Sequence, residues 1–230
     1  MAVHRLALFD IDCTLIDAHG AGGRAIVRAI DATYGVTGGL DGYTFHGRTD
    51  PGIIVDLATR WGAPDDEVRS GLEACLATYV DLLEEEVAAG TMEVLPGVRE
   101  LVADLAADER VLLGLLTGNT EAGAVVKLAP TGFAGLFAVG AYGSDSPERS
   151  DLPAFAIGRA TALTGRRYRG KEIAIIGDTP ADILCGVDHA VKAIGVATGR
   201  HSVTDLRSYQ PDFVFADLSD WRAVHEAILA

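Results

Sequence analysis

Lysine is almost missing from this chain of 230 residues, with only Lys127, Lys171 and Lys192 present, and acidic residues outnumber basic ones 33 to 19 for a net charge of −14. Binding to nucleic acid through its backbone phosphates needs clustered Lys and Arg to displace counterions, so that class of partner is excluded. Cysteine is equally sparse. Cys13, Cys75 and Cys185 are odd in number and far apart, with no Cys-x-x-Cys pair, which argues against a disulfide framework or a zinc site and fits a reducing cytoplasm. No apolar stretch precedes Phe9 and no later run reaches membrane-spanning length, so neither a signal peptide nor a membrane partner is expected. What is present is hydrophobic content of 49%, enough for a full core in one or two domains. An anionic ligand stays compatible with the acidic balance, because backbone amides, one Arg and a divalent cation can reverse the local field.

Short unalternating apolar runs recur at Arg5–Phe9, Val111–Leu116, Leu136–Val139, Ile173–Ile176, Val191–Val196 and Phe213–Phe215, each followed by a polar or glycine-rich turn. Such runs suit strands buried on both faces of a parallel sheet, which predicts an α/β, doubly wound architecture. Between about His19 and Gly90 the pattern is helical only, over Ala21–Tyr34, Pro51–Trp61 and Pro64–Ala89. The division expected is a core of residues 1–16 and 91–230 with a helical insertion at 17–90. The third helical pattern opens with Pro-Asp-Asp-Glu, acidic groups that complement a helix N-terminus, and Cys75 and Tyr79 fall on its apolar stripe as core residues.

Three run ends carry chemistry. The first places Asp10 and Asp12 at i and i+2, where two carboxylates leaving a buried strand repel each other and lose hydration unless a cation or a shared proton compensates. The second reads Thr117-Gly118-Asn119 at the start of a helix, a place where free amides suit phosphate. The third has Asp178 at its end and Asp182 one helical turn on, so acidic groups from two strand ends could share a hard, oxygen-seeking cation. Ligands of open α/β sheets bind at this carboxyl edge.

Asp-x-Asp-x-Thr, Thr-Gly-Asn and Gly-Asp-x-x-x-Asp in this order, from Phe9 to Asp182 and with a helical insertion after the first strand, resemble the haloacid dehalogenase superfamily. The resemblance implies a Rossmann-like core with a helical cap and magnesium as cofactor. Asp10 would be the nucleophile that forms a phosphoaspartyl intermediate, and Asp12 the general acid and base. Magnesium would be held by Asp10, the Asp12 carbonyl and Asp178, with Asp182 either ligating it or orienting Asp178. Thr117 and the amides of Gly118 and Asn119 would bind phosphate, joined by Ile11, while Thr14 supports the turn.

The chain departs from the family twice. Cys13 stands where Gly is commonest. The family's third element is usually a Lys, whereas the loop from Gly143 to Pro153 holds none. Arg149 is the candidate replacement, being permanently charged and able to grip phosphate with two donors; the alternative is a solvated loop residue. Lys171 is the weaker candidate, since it precedes a strand and would sit at the opposite edge.

Family members include dehalogenases, phosphonatases, phosphomutases and phosphatases. Asp12 argues against dehalogenation, which has no leaving alcohol to protonate, and the absence of a lysine in the insertion argues against Schiff-base phosphonate chemistry. A phosphatase acting on a small phosphorylated metabolite is the first expectation. A sugar phosphomutase is the alternative, and a phosphate-ligand binding protein without turnover comes third. Arg48 is the candidate specificity residue for a second anionic group, or else a structural contact at the hinge. Oligomeric state stays open.

Overall fold

The computed structural model describes residues 4–133 and 135–230. The chain runs through β1 (Arg5–Phe9), β2 (Ile16–Asp17), α1 (Ala21–Tyr34), α2 (Asp50–Arg60), α3 (Asp65–Ala89), β3 (Glu93–Val94), α4 (Val98–Ala107), β4 (Val111–Leu116) and α5 (Glu121–Leu128). It continues through β5 (Val139–Ala141), α6 (Leu152–Thr164), β6 (Ile173–Gly177), α7 (Pro180–Leu184), β7 (Lys192–Val196), α8 (Val203–Arg207), β8 (Phe213–Phe215) and α9 (Trp221–Leu229).

Six strands form one sheet in the order β5-β4-β1-β6-β7-β8, every neighbouring pair parallel. β1 explains why the sheet needs helices on both sides. All five of its residues are buried, and alternate side chains go to opposite faces. Leu6 and Leu8 pack with Leu152, Ala156 and Ile175, whereas Ala7 and Phe9 pack with Leu101, Leu105, Val224 and Ile228. The chain leaves β1 to build β4 and β5 on one side and returns to build β6, β7 and β8 on the other. β1 thus borders the switch point, where ligands of such sheets bind.

The strand expected at 136–139 lies further on, at Val139–Ala141. The reason is register: β4 offers its partner only Gly114–Leu116, which pair with Val139, Gly140 and Ala141, and Phe137 instead turns its ring edge-on to Phe9. The helical stretches begin within a residue of their expected places. Thr49 caps α2 by accepting from the Gly52 amide at 3.2 Å, and α3 begins straight after Pro64 with Asp65, Asp66 and Glu67 in its first turn.

Helices α1, α2 and α3 bury a cluster of their own that includes Ile26, Ile30, Ile54, Leu57, Cys75, Tyr79 and Leu83. The chain enters and leaves this helical stretch through a feature too short to be seen in sequence, the antiparallel pair β2–β3, in which Ile16 faces Val94 and Asp17 faces Glu93.

Phe9 carries the central strand into the site, since the next residue is Asp10. Its ring is fully buried and lies 6.3 Å from that of Phe137. Phe9→Ala should therefore lower the unfolding free energy by about 3–5 kcal/mol, read by urea denaturation, with Phe9→Leu costing clearly less.

Candidate active site

Three adjacent central strands deliver the site. The Asp10 amide continues the ladder by donating to the Ile176 carbonyl at 2.9 Å, and the Thr117 amide donates to that of Ala141 at 3.0 Å. Asp178 follows β6 directly. Asp10, Asp178 and Asp182 thereby bring carboxylate oxygens within 4.8 Å of one another, all three residues buried.

Arg149 joins them. It lies in the short helical turn before α6, is only 8% exposed, and places Nη2 3.3 Å from Asp10 Oδ2 while donating to Asp182 Oδ1. The solvated-loop alternative for Arg149 does not describe this position. Asp182 is also held by Thr179, whose amide and hydroxyl donate to Oδ2 at 3.0 and 2.7 Å. Lys171 lies where expected, at the other end of β6, bound to the Val191 carbonyl and Asp212.

Three buried carboxylates beside one guanidinium leave negative charge uncompensated. Burial, with Asp182 and Asp10 adding to it, pushes Asp178 up to about 8. Burial pushes Asp10 to about 6, with Arg149 working in the opposite direction. Asp178 Oδ2 is buried without a hydrogen-bond partner, although buried polar atoms are ordinarily paired. An orphan oxygen within an all-oxygen donor set fits a hard divalent cation.

Asp12 is compensated differently. Lys127 Nζ donates to its Oδ1 at 2.9 Å and Oδ2 at 2.7 Å, and Asn119 Nδ2 donates to Oδ2 at 2.8 Å. Burial opposes the charge on Asp12, but Lys127 together with Asn119 and His46 outweighs it and the carboxyl sits below its ordinary range. Asn119 Nδ2 also reaches Thr117 Oγ1 at 2.8 Å. Lys127 was not singled out from sequence. The usable signal was its place on the buried stripe of α5 with Gly123, Ala124 and Leu128, where a lysine is out of character.

Cys13 has a φ of 57°. The turn after Asp12 needs a left-handed residue, which accounts for the preference for Gly there. Thr14 is fully buried in the same turn.

The start of α2 is fastened to the strand ends. The Asp50 amide donates to the Gly118 carbonyl at 2.7 Å, the Asp50 carboxylate accepts from the Thr120 amide at 2.9 Å, and the Thr49 hydroxyl donates to the Pro147 carbonyl at 2.9 Å. Gly118 is required here, because a Cβ on it would lie 1.9 Å from the Arg48 carbonyl oxygen. The Arg48 side chain pairs with Asp56 at 2.8 Å and lies over the Tyr43 ring, its Cζ 5.1 Å from the centroid, and the residue also lines the cavity described below. His46 comes close to Cys13 and Asp178.

A cavity of about 760 Å³ opens between these parts. Asp10, Asp12, Thr117, Gly118, Asn119, Arg149 and Asp178 line it from the sheet edge, and Phe45, His46, Ile53 and Leu40 from the helical side. Its mixed polar and apolar lining suits a small molecule with one anionic end.

A family model described as haloacid dehalogenase-like hydrolase matches residues 7–186, and a second, HAD-hydrolase-like, matches residues 153–221. No curated protein matches in sequence. Among solved structures, a predicted phosphoglycolate phosphatase from Haemophilus somnus 129PT aligns with a TM-score of 0.72 at 20% identity, over 98% of this chain and 99% of that one. A candidate beta-phosphoglucomutase from Bacteroides vulgatus aligns at 0.71 and 18%, over 99% and 89%. A hydrolase from Pseudomonas syringae aligns at 0.72 and 19%, over 97% and 98%. Identities this low carry the fold and leave the substrate open.

The acidic cluster generates a pH dependence. Asp178 and Asp10 have folded-state values raised to about 8 and about 6, above the ordinary carboxylate value of about 3.9, so the folded chain holds more protons than the unfolded one across that interval. Their contribution to stability is present at low pH and declines as pH rises through those values. With chelator present, the melting temperature set by these two groups should fall between pH 5 and pH 8. Added magnesium should raise it more at pH 8 than at pH 5, where protons compete for the same oxygens. A cation effect independent of pH would remove the cluster as the binding place.

Proposed function

The chain belongs to the haloacid dehalogenase-like hydrolase family, and from that premise we propose that it is a magnesium-dependent phosphatase of a small phosphate monoester. The observation that carries this reading is the division of labour between two carboxylates lining one cavity: Asp10 lies beside Arg149 and the acidic cluster, and Asp12 has its own ion pair.

In this reading an Asp10 oxygen attacks phosphorus, the bond from phosphorus to the leaving oxygen breaks, and Asp12, which must first take up a proton from solvent against the pull of Lys127, passes that proton to the leaving oxygen. Water then attacks the aspartyl phosphate, Asp12 takes its proton, and phosphate leaves with Asp10 restored. Dividing one difficult displacement between two easier ones is what a carboxylate nucleophile offers. Arg149 and Thr117, with the amides of Ile11, Gly118 and Asn119, hold the phosphoryl oxygens as charge shifts among them. Magnesium, held by Asp10, Asp178 and the Asp12 carbonyl with Asp182 adjacent, would neutralise charge so that an anionic nucleophile can meet an anionic phosphate. Residues 17–90 act as a cap, closing the cavity against bulk water and meeting the part of the substrate beyond the phosphate.

The test is phosphate release from p-nitrophenyl phosphate and a panel of small phosphate esters. Release should require magnesium and should vanish in Asp10→Asn with the melting temperature preserved. Arg149→Ala, checked for folding, should lower kcat by about 10²–10³-fold, whereas exposed Arg207→Ala should not; a silent Arg149→Ala would remove that residue from phosphate binding. Conversion of a sugar phosphate to its isomer without phosphate release would replace the phosphatase by a phosphomutase.

A further inference from the structure

Every donor of the Lys127 ammonium is committed. Besides both oxygens of Asp12 it reaches Asn119 Oδ1 at 2.6 Å, and its side chain is 5% exposed. The Asp12 carboxylate, by contrast, is 38% exposed; its backbone is held in the turn after β1 by a bridge to Ile16, but the direction of its side chain is left to the groups it bonds. The groups that do fix it all come from elsewhere: Lys127 two turns into α5, and Asn119 at the head of that helix, which is bonded in turn to Thr117. The same helix also accepts the start of α2, through the Thr120 amide and the Asp50 carboxylate. On the far side of the ammonium lies α1, and a Cβ built on Gly22 would stand 3.1 Å from Nζ and 3.4 Å from Cε.

Resting on the phosphatase reading, we infer that Lys127 is a positioning residue: it fixes the Asp12 carboxylate in register with Thr117 and the phosphate position, and Gly22 of the helical stretch sets where its ammonium can sit. Lys127 touches no reacting atom in this arrangement. Its effect is on where the proton of Asp12 is offered to the leaving oxygen and, in the second step, where the proton of the attacking water is taken.

This role separates from simple charge balance in the leaving-group dependence. p-Nitrophenolate departs without a proton, whereas an alkoxide needs one. Lys127→Met, of similar length and uncharged, should therefore keep the first-turnover burst of p-nitrophenolate while steady turnover of an alkyl phosphate falls by about 10²-fold with KM unchanged, the scale of a misplaced general acid. Gly22→Ala tests the same idea without removing any functional group. It should leave the protein folded, the preference of Ala over Gly in a helix being set against the few tenths of an ångström by which the Lys127 ammonium must give, and still lower kcat for the alkyl ester several-fold at constant KM. Equal losses for burst and alkyl turnover in folded Lys127→Met, or an unchanged kcat in Gly22→Ala, would overturn the inference. Should Lys127→Met not fold, Gly22→Ala decides.

The crystal structure of Lys127→Met, or of Gly22→Ala in its place, supplies a readout that needs no activity. Displacement of the Asp12 carboxylate from Asn119 Nδ2 is expected, and retention of that 2.8 Å contact would overturn the inference. A wild type that releases no phosphate from any ester fails the phosphatase reading alone, and this structural comparison still decides the position of Asp12.

Discussion

Asp10, Asp12, Asp178 and Asp182 converge on one edge of the sheet, where little water reaches three of them, and their mutual repulsion is the constraint around which the other parts are arranged. An isolated buried carboxylate is costly, and several together cost more than their sum unless positive charge is brought in. The chain meets this with two buried cations from outside the strands, Arg149 from the turn before α6 and Lys127 from α5. Each serves a different acid. Arg149 spans Asp10 and Asp182, Lys127 belongs to Asp12, and the orphan oxygen of Asp178 is left for a cation.

The doubly wound sheet is what makes such a gathering possible. A parallel sheet buried on both faces brings strand ends together without their side chains needing any role in the strands themselves, and helices on both sides supply stems long enough to carry cations inward. The cations are fixed at the far end as well: Arg149 through Asp182, which Thr179 holds in turn, and Lys127 through Asn119. The site is thus a set of mutually oriented pairs rather than a row of independent side chains, and a change at any one of them is felt by its neighbours.

Much of this was legible in sequence because buried parallel strands leave continuous apolar runs and their ends expose whatever polar residue comes next. β1, β4, β6 and β7 are of this kind. β5 was misplaced because Leu136 and Phe137 look like strand yet have no partner in register on β4, and β2–β3 is too short to leave any periodicity. Among the site residues, Asp10, Asp12, Thr117 and Asp178 were visible because they stand at run ends. Lys127 was not, because a lysine on the apolar stripe of α5 says only that it is buried, and which carboxylate it meets depends on how α5 docks. Arg48 shows a different difficulty: it does line the cavity, but a lone Arg in a loop says nothing of the Asp56 carboxylate and Tyr43 ring beside it.

The short pairing of Ile16 with Val94 and Asp17 with Glu93 has a consequence beyond its two residue pairs. The chain departs from the sheet and comes back to it at a single place, so everything between is a loop in the topological sense, however many helices it contains. The ends of that loop are already side by side, and an exchange of its contents would not alter the order of strands or the groups at their ends. A scaffold with such a junction can vary what surrounds a ligand while inheriting its reactive groups, so long as the few contacts where the two parts meet, at Gly22 and Asp50, are kept.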